Sequence, residues 1–176
     1  GNEKIAFEDS LLVQSYRFRI VVKIFSSIHF DLEEKNKILE IECLRDKNSN
    51  DSELIRFEAY ASLPDKSVKE TLWNTFVKEP TKESLYKMKS SMAGFVKISQ
   101  LSLVEEYITK GFFDVCLEIG QKNDHWYHEY FISYLIPFAF LSEEIIEKTE
   151  KLAESSKAFD SAYRKIIERI LSKQEN

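Results

Sequence analysis

Glycine and proline are nearly missing, at four and three among 176 residues. All-β folds and doubly wound α/β folds draw glycine into turns and phosphate loops, so this scarcity argues for helices. Cysteine is rarer still. Cys43 and Cys116 each sit inside an apolar helical pattern, which suits free buried thiols and gives no disulfide framework. Long apolar runs are also lacking. A bilayer span needs roughly 20 apolar residues, whereas the longest stretch here, YLIPFAFL, is short and broken by Pro137. No basic stripe is present either: net charge is -5, and Lys and Glu alternate along the chain. That is the pattern of solvated helix faces, so neither a nucleic acid nor a membrane is expected as a partner. Gly1 follows no Met and reads as a processed tag remnant, so a missing signal peptide says nothing of the parent protein.

What is present is an ordinary globular balance, 43% hydrophobic and 31% charged, on a chain long enough for one domain with a substantial core. The punctuation predicts a series of helices. Asp9 caps the first, which runs to about His29 with Leu12, Tyr16, Ile20 and Phe25 at helical period. DLEE at Asp31 opens a second with a capping box and ends near Arg45. After the polar joint RDKNSNDS comes ELIRFEAYASL, stopped at Pro64, and then KSVKETLWNTFV capped by Asp65. TKESLYKMKSSMAGFV follows, and SLVEEYITKGFFDVCLEIG ends at Gly120 as a C′ residue. A helix from Asp124 to about Ile136, then SEEIIEKTEKLAES and AFDSAYRKIIERILSKQ, close the chain. About nine helices at this spacing predict an all-α fold, with antiparallel helix pairs stacked as a curved right-handed solenoid of the HEAT/armadillo kind. A compact orthogonal bundle is the second choice.

The stretch NDHWYHEYF is the most chemical in appearance, with His125 and His128 on one helix face beside Glu129. A catalytic zinc site wants three protein ligands, and the peptidase motif H-E-x-x-H spaces its histidines i,i+4. Here the spacing is i,i+3, Trp126 follows His125, and the only other histidine is His29. A packed or cavity-lining helix with neutral imidazoles is the better reading, and no metal or cofactor is expected in this chain. G-x-S-x-G, the P-loop and G-x-G-x-x-G are all absent. Neither cysteine has a base beside it in sequence. Glu33–Lys37 and Glu144–Lys148 have the spacing of surface helix pairs.

More telling is Leu39 to Val77, in which Leu44, Asp46, Ala59, Ala61, Pro64, Lys69 and Trp73 form a spaced pattern. A small–Gly–Phe turn follows at Ala93, Gly94 and Phe95, then an aromatic helix with Tyr107, Phe112 and Phe113, then Trp126 and Pro137. With these residues the chain resembles, from about Tyr16 to Leu171, the C-terminal helical domain of the aminopeptidase N family of zinc metallopeptidases. Its motifs are packing patterns, and the alanine-rich helix carries more aromatic residues here, Phe57 and Tyr60, than is usual in that family. Residues 1–176 then read as a single helical domain, the C-terminal piece of a longer, cytoplasmic chain.

The resemblance implies a parent enzyme that removes N-terminal residues from peptides with a zinc-activated water. The family's H-E-x-x-H, its third-ligand Glu and its amine-recognition loop belong to a domain upstream, and none of them occurs in this sequence. This chain would be inactive alone. In the parent it would wall the peptide chamber and limit substrate access, with the upstream catalytic domain and the peptide as its partners. Arg56, His125, His128 and Tyr130 are the candidates for chamber lining, against simple packing or surface polarity. Two rivals stand beside this reading: a stand-alone helical-repeat scaffold binding a protein in its groove, and a small all-α enzyme assembled from dispersed acids and histidines.

Overall fold

The computed structural model describes residues 13–140 and 142–155, and among these every regular element is helical. In order they are α1 (Gln14–Ser26), α2 (Leu32–Arg45), α3 (Asn50–Ala61), α4 (Lys66–Lys78), α5 (Leu85–Phe95), α6 (Leu101–Glu106), a π turn (Tyr107–Gly111), α7 (Phe112–Lys122), α8 (His125–Leu135) and α9 (Glu143–Ser155). Because α6, the π turn and α7 run on without a break, the described residues hold eight separate helices. The closing helix expected at 158–174 lies outside the described residues, as do Asp9 and Leu12.

Helix starts follow side-chain chemistry. At α2 the Asp31 carboxylate accepts from the Glu34 amide while the Glu34 carboxylate accepts from the Asp31 amide, a complete capping box. Ser49, Asp65 and Asp124 cap α3, α4 and α8 by accepting backbone amides of the first turn. The scarcity of glycine is met directly at the end of α2. There Lys47 (φ 57°) and Asn48 (φ 50°) take the left-handed region, and their amides donate to the carbonyls of Leu44 and Cys43. This is the double closure usually made around glycine.

Several boundaries differ from the sequence reading. Helix α1 ends at Ser26 rather than near His29. Its buried residues are Phe18, Val21, Val22 and Phe25, while Tyr16 and Ile20 are about half exposed. Of the expected series, Phe25 lies on the buried stripe, whereas Tyr16 and Ile20 lie on the outer one. Helix α3 begins inside the supposed polar joint because Ser49 caps it, and it stops at Ala61, ahead of Pro64. Residues 81–84, taken as the start of α5, precede it. Gly120 does not end α7: the helix continues to Lys122, and no glycine among the described residues has positive φ.

Packing proceeds by alternate helices. Helix α1 contacts α3, α3 makes its most extensive contact with α5, and α5 contacts α8. Helix α2 lies against α1 and α3; α4 against α3, α5 and α6; and α7 against α8 and α9. The most extensively packed helices are therefore neighbours, or next-but-one, in the order of the eight helices. Helix α5 is the hub, with Met88, Met92 and Phe95 almost wholly buried. No helix among the described residues is long and apolar enough to cross a membrane.

Candidate functional site

Helices α1, α3 and α5 end together, and polar side chains stitch their last carbonyls. Gln100 Nε2 donates to Ser26 O (3.1 Å) and Ser62 O (2.8 Å), joining the ends of α1 and α3. Lys69 Nζ donates to Ala61 O (2.6 Å) and Phe95 O (2.9 Å), joining the ends of α3 and α5. Lys35 Nζ donates to Ser27 O at 2.7 Å, and Lys97 Nζ to Ala93 O at 3.2 Å. The last four carbonyls of a helix lack partners within it, and the dipole favours cations there. Three C-termini side by side thus explain why Lys35 and Lys69 are buried here.

Burial sets the electrostatics of this rim. The Lys69 ammonium, with no exposed surface, is pushed down to about 7 by burial, with the nearby Lys97 charge acting in the same direction. Burial also lowers Lys97, opposed by Glu58 at 3.9 Å, and raises Glu58, opposed by Lys97. Beside these groups lies an open groove of about 920 Å³, lined among others by Lys23, His29, Pro64, Lys97 and Gln100. A second hollow of about 270 Å³ shares Arg19, Val22 and Glu58 with it. Gln100 Oε1 is buried with no hydrogen-bond partner. Because its amide nitrogen is fixed by two carbonyls, the oxygen's direction is set by the same clamp.

Small and aromatic side chains pack behind this rim. Ala59 and Ala61 are fully buried, and a Cβ on Gly94 would meet Glu58 O at 2.2 Å, so α5 rides directly on the backbone of α3. Trp73 stacks on Tyr107 (5.6 Å between centroids) and Phe95 (6.3 Å), and approaches Phe131 (6.0 Å). Its ring lies over Gly111, where a Cβ would come within 2.9 Å of Cζ2. Asp46 accepts from Gln14 (2.7 Å) and Ser52 (2.8 Å), tying α1 to the start of α3.

The four residues proposed to line a chamber are not gathered in one place by their contacts. Arg56 on α3 makes a two-pronged ion pair with Glu40 on α2. On α8, His125 is exposed, stands 3.9 Å from Glu129 and has the Trp126 ring edge-on. Tyr130 is half-buried beneath Lys89 Nζ, which lies 4.7 Å from its ring centroid. His128 is buried, as in a packed helix. Its ring sits on Gly120, where a Cβ would meet Cε1 at 2.3 Å. Gly120 therefore serves close approach of α7 and α8 rather than helix termination.

His128 Nε2 stands 3.8 Å from Cys116 Sγ, but burial lowers the imidazole and pushes the thiol up to about 12. A protonated, inaccessible thiol is no nucleophile. Among the described residues no group of three His, Cys, Asp or Glu side chains is placed to hold a metal ion. Lys97 and Gln100 have no signal in the sequence, and Lys69 stands there as part of the spaced pattern but not as a buried clamp. It occupies an apolar-stripe position with Leu72, Trp73 and Phe76 at i+3, i+4 and i+7, where a lysine must find buried acceptors.

Fold and rim together define an all-helical protein with an open groove and a buried lysine clamp. No protein-family model matches the chain, and no curated protein matches it.

Proposed function

We propose that this chain is the C-terminal helical domain of a larger zinc aminopeptidase, non-catalytic by itself, that walls the peptide chamber of the parent and limits substrate access. One observation carries the reading. Of the residues on which the resemblance rests, Ala59, Ala61, Lys69, Trp73, Gly94 and Tyr107 pack into or against the core, while Leu44 and Trp126 stand exposed.

In this reading the zinc belongs to the upstream domain, and the described residues of this chain are assigned no part in holding it. Helix α8 contributes exposed Trp126 and His125 and half-buried Tyr130 to the chamber wall, and Arg56 stays locked to Glu40 as part of the frame. The purified chain is expected to give no turnover of leucine p-nitroanilide, with or without added zinc. The same gene is expected to encode H-E-x-x-H on the N-terminal side of this segment. Turnover by the chain alone, or a reading frame without that motif, rejects the proposal.

The open groove at the rim supports a second reading, a stand-alone helical-repeat scaffold that holds a protein partner. A reading frame without the zinc motif would favour it.

A further inference from the structure

The two most exposed large apolar side chains among the described residues are Ile98, at 86%, and Ile28, at 80%. Both line the open groove of about 920 Å³ at the rim. They come from different segments, Ile28 just past α1 and Ile98 just past α5. Val22 and Val96 line the same space. Apolar surface gathered in one open groove marks a place for a partner.

The charge that lines this groove is uneven. Arg19, Lys23, Lys97 and His29 stand against one carboxylate, Glu58, which already faces Lys97 at 3.9 Å. Arg19 and Lys23 form no ion pair among the described residues, and the Arg19 guanidinium lies over the Tyr16 ring. The acids of α2, Glu33, Glu34, Glu40 and Glu42, do not line the groove, and Asp31 and Asp65 are spent as caps of α2 and α4. The adjoining hollow adds one further acid, Asp51, beside Gln14 at the opposite end of α1. Helix carbonyls at this rim would repel an anion, but those of Ser26, Ser27, Ala61, Ser62 and Phe95 are held by Gln100, Lys35 and Lys69.

We infer that the groove binds an extended segment of a protein partner in which acidic residues alternate with apolar ones. Arg19 and Lys23 are one turn apart on α1, about 6 Å along its axis. Alternate residues on one side of an extended chain are about 6.6 Å apart. Two carboxylates of such a segment therefore match the two cations, leaving the intervening apolar residues for Ile28 and Ile98. No Phe, Tyr or Trp lines the groove, so nucleic-acid bases would find nothing to stack on. The inference deepens the scaffold reading by naming what its groove holds, and it rests on that reading only for the presence of a partner.

A peptide array tests it. With the labelled 176-residue chain washed over random octapeptides, the retained peptides are expected to be enriched in Asp or Glu alternating with Leu, Ile or Val. Affinity for the best of them, read by fluorescence anisotropy, is expected to fall about tenfold in Lys23→Glu and in Ile98→Asp, since each sets a like charge against the bound acids. Both side chains are exposed, so far-UV helicity is expected to stay at the level of the unchanged chain. Lys122→Glu, an exposed change outside the groove, is expected to leave the affinity as it was. No retained peptide, a retained set without acidic residues, or an equal loss in Lys122→Glu overturns the inference. Tight binding of an oligothymidylate that Lys23→Glu abolishes would assign the groove to a nucleic acid and likewise overturn it. The two readings fail separately: a gene with H-E-x-x-H upstream would reject the stand-alone scaffold and leave measured peptide binding in this groove standing.

Discussion

Lys69 is a charged side chain in the least hospitable place the molecule offers, yet it holds the ends of two helices. Replacing it with Met keeps the volume but leaves Ala61 O and Phe95 O without their charged donor. A loss of about 2–4 kcal/mol is expected in urea unfolding, the scale of orphaned buried acceptors. Its titration gives a separate signature. The folded pKa, about 7, lies below the ordinary 10.5, so between these values the unfolded chain binds more protons at Lys69 than the folded one. The Lys69 contribution to stability is therefore complete above about 10.5 and falls away as pH drops toward 7. The stability of the native chain relative to Lys69→Met is expected to rise from pH 7 to pH 9.5; a flat difference would reject a depressed amine. Gly94 makes the complementary point about space. Alanine is normally the better helix former by about 1 kcal/mol, but here its Cβ would strike the Glu58 carbonyl. Gly94→Ala is expected to destabilise by about 1–3 kcal/mol, as overpacking does.

At the scale of elements, the helices were legible where local chemistry decides them. Asp31 with Glu34, Asp65 and Asp124 announce α2, α4 and α8 in the sequence, and the structure makes those hydrogen bonds. Asp31→Ala is expected to cost about 1 kcal/mol in chemical denaturation, and Asp65→Ala to lower the denaturation midpoint. What was illegible is what only a neighbour can decide. Two apolar stripes run along α1, and periodicity alone cannot say that Phe18 and Val22 face α3 while Tyr16 and Ile20 face outward. Gly120 has the composition of a helix stop, and its true reason, the His128 ring, is on another helix. The candidate site divides the same way. Ala59, Pro64 and Trp73 stood out as a pattern, whereas the clamp of Lys69, Lys97 and Gln100 depends on three helix ends meeting at one rim.

For the whole molecule, α5 matters most, because α3, α4 and α8 all lie against it. Phe95 is fully buried there, edge-on to Phe76 and beside Trp73, and its carbonyl accepts from Lys69. Phe95→Ala is expected to cost about 3–5 kcal/mol, the range for deleting a buried ring. Loss of far-UV helicity and of Trp73 fluorescence should then coincide on heating, because one hub serves both sides of the stack. Two separated transitions would mean that α1–α3 and α6–α8 melt as independent units.

The π turn from Tyr107 to Gly111 works as a phase shifter. Val104, Ile108, Phe112 and Cys116 are all buried although they recur every four residues. A regular α-helix advances about 100° per residue, so such a series would drift about 40° at each step. The wider turn takes up that excess. Rewinding this turn as plain α-helix with every residue kept would turn everything beyond it by about one residue's angle. Phe112, Cys116 and Ile119 would then swing away from α8, and His128 would lose the glycine beneath it. One surplus residue in a continuous helix thus sets the angular registration of the second half of the molecule against the first.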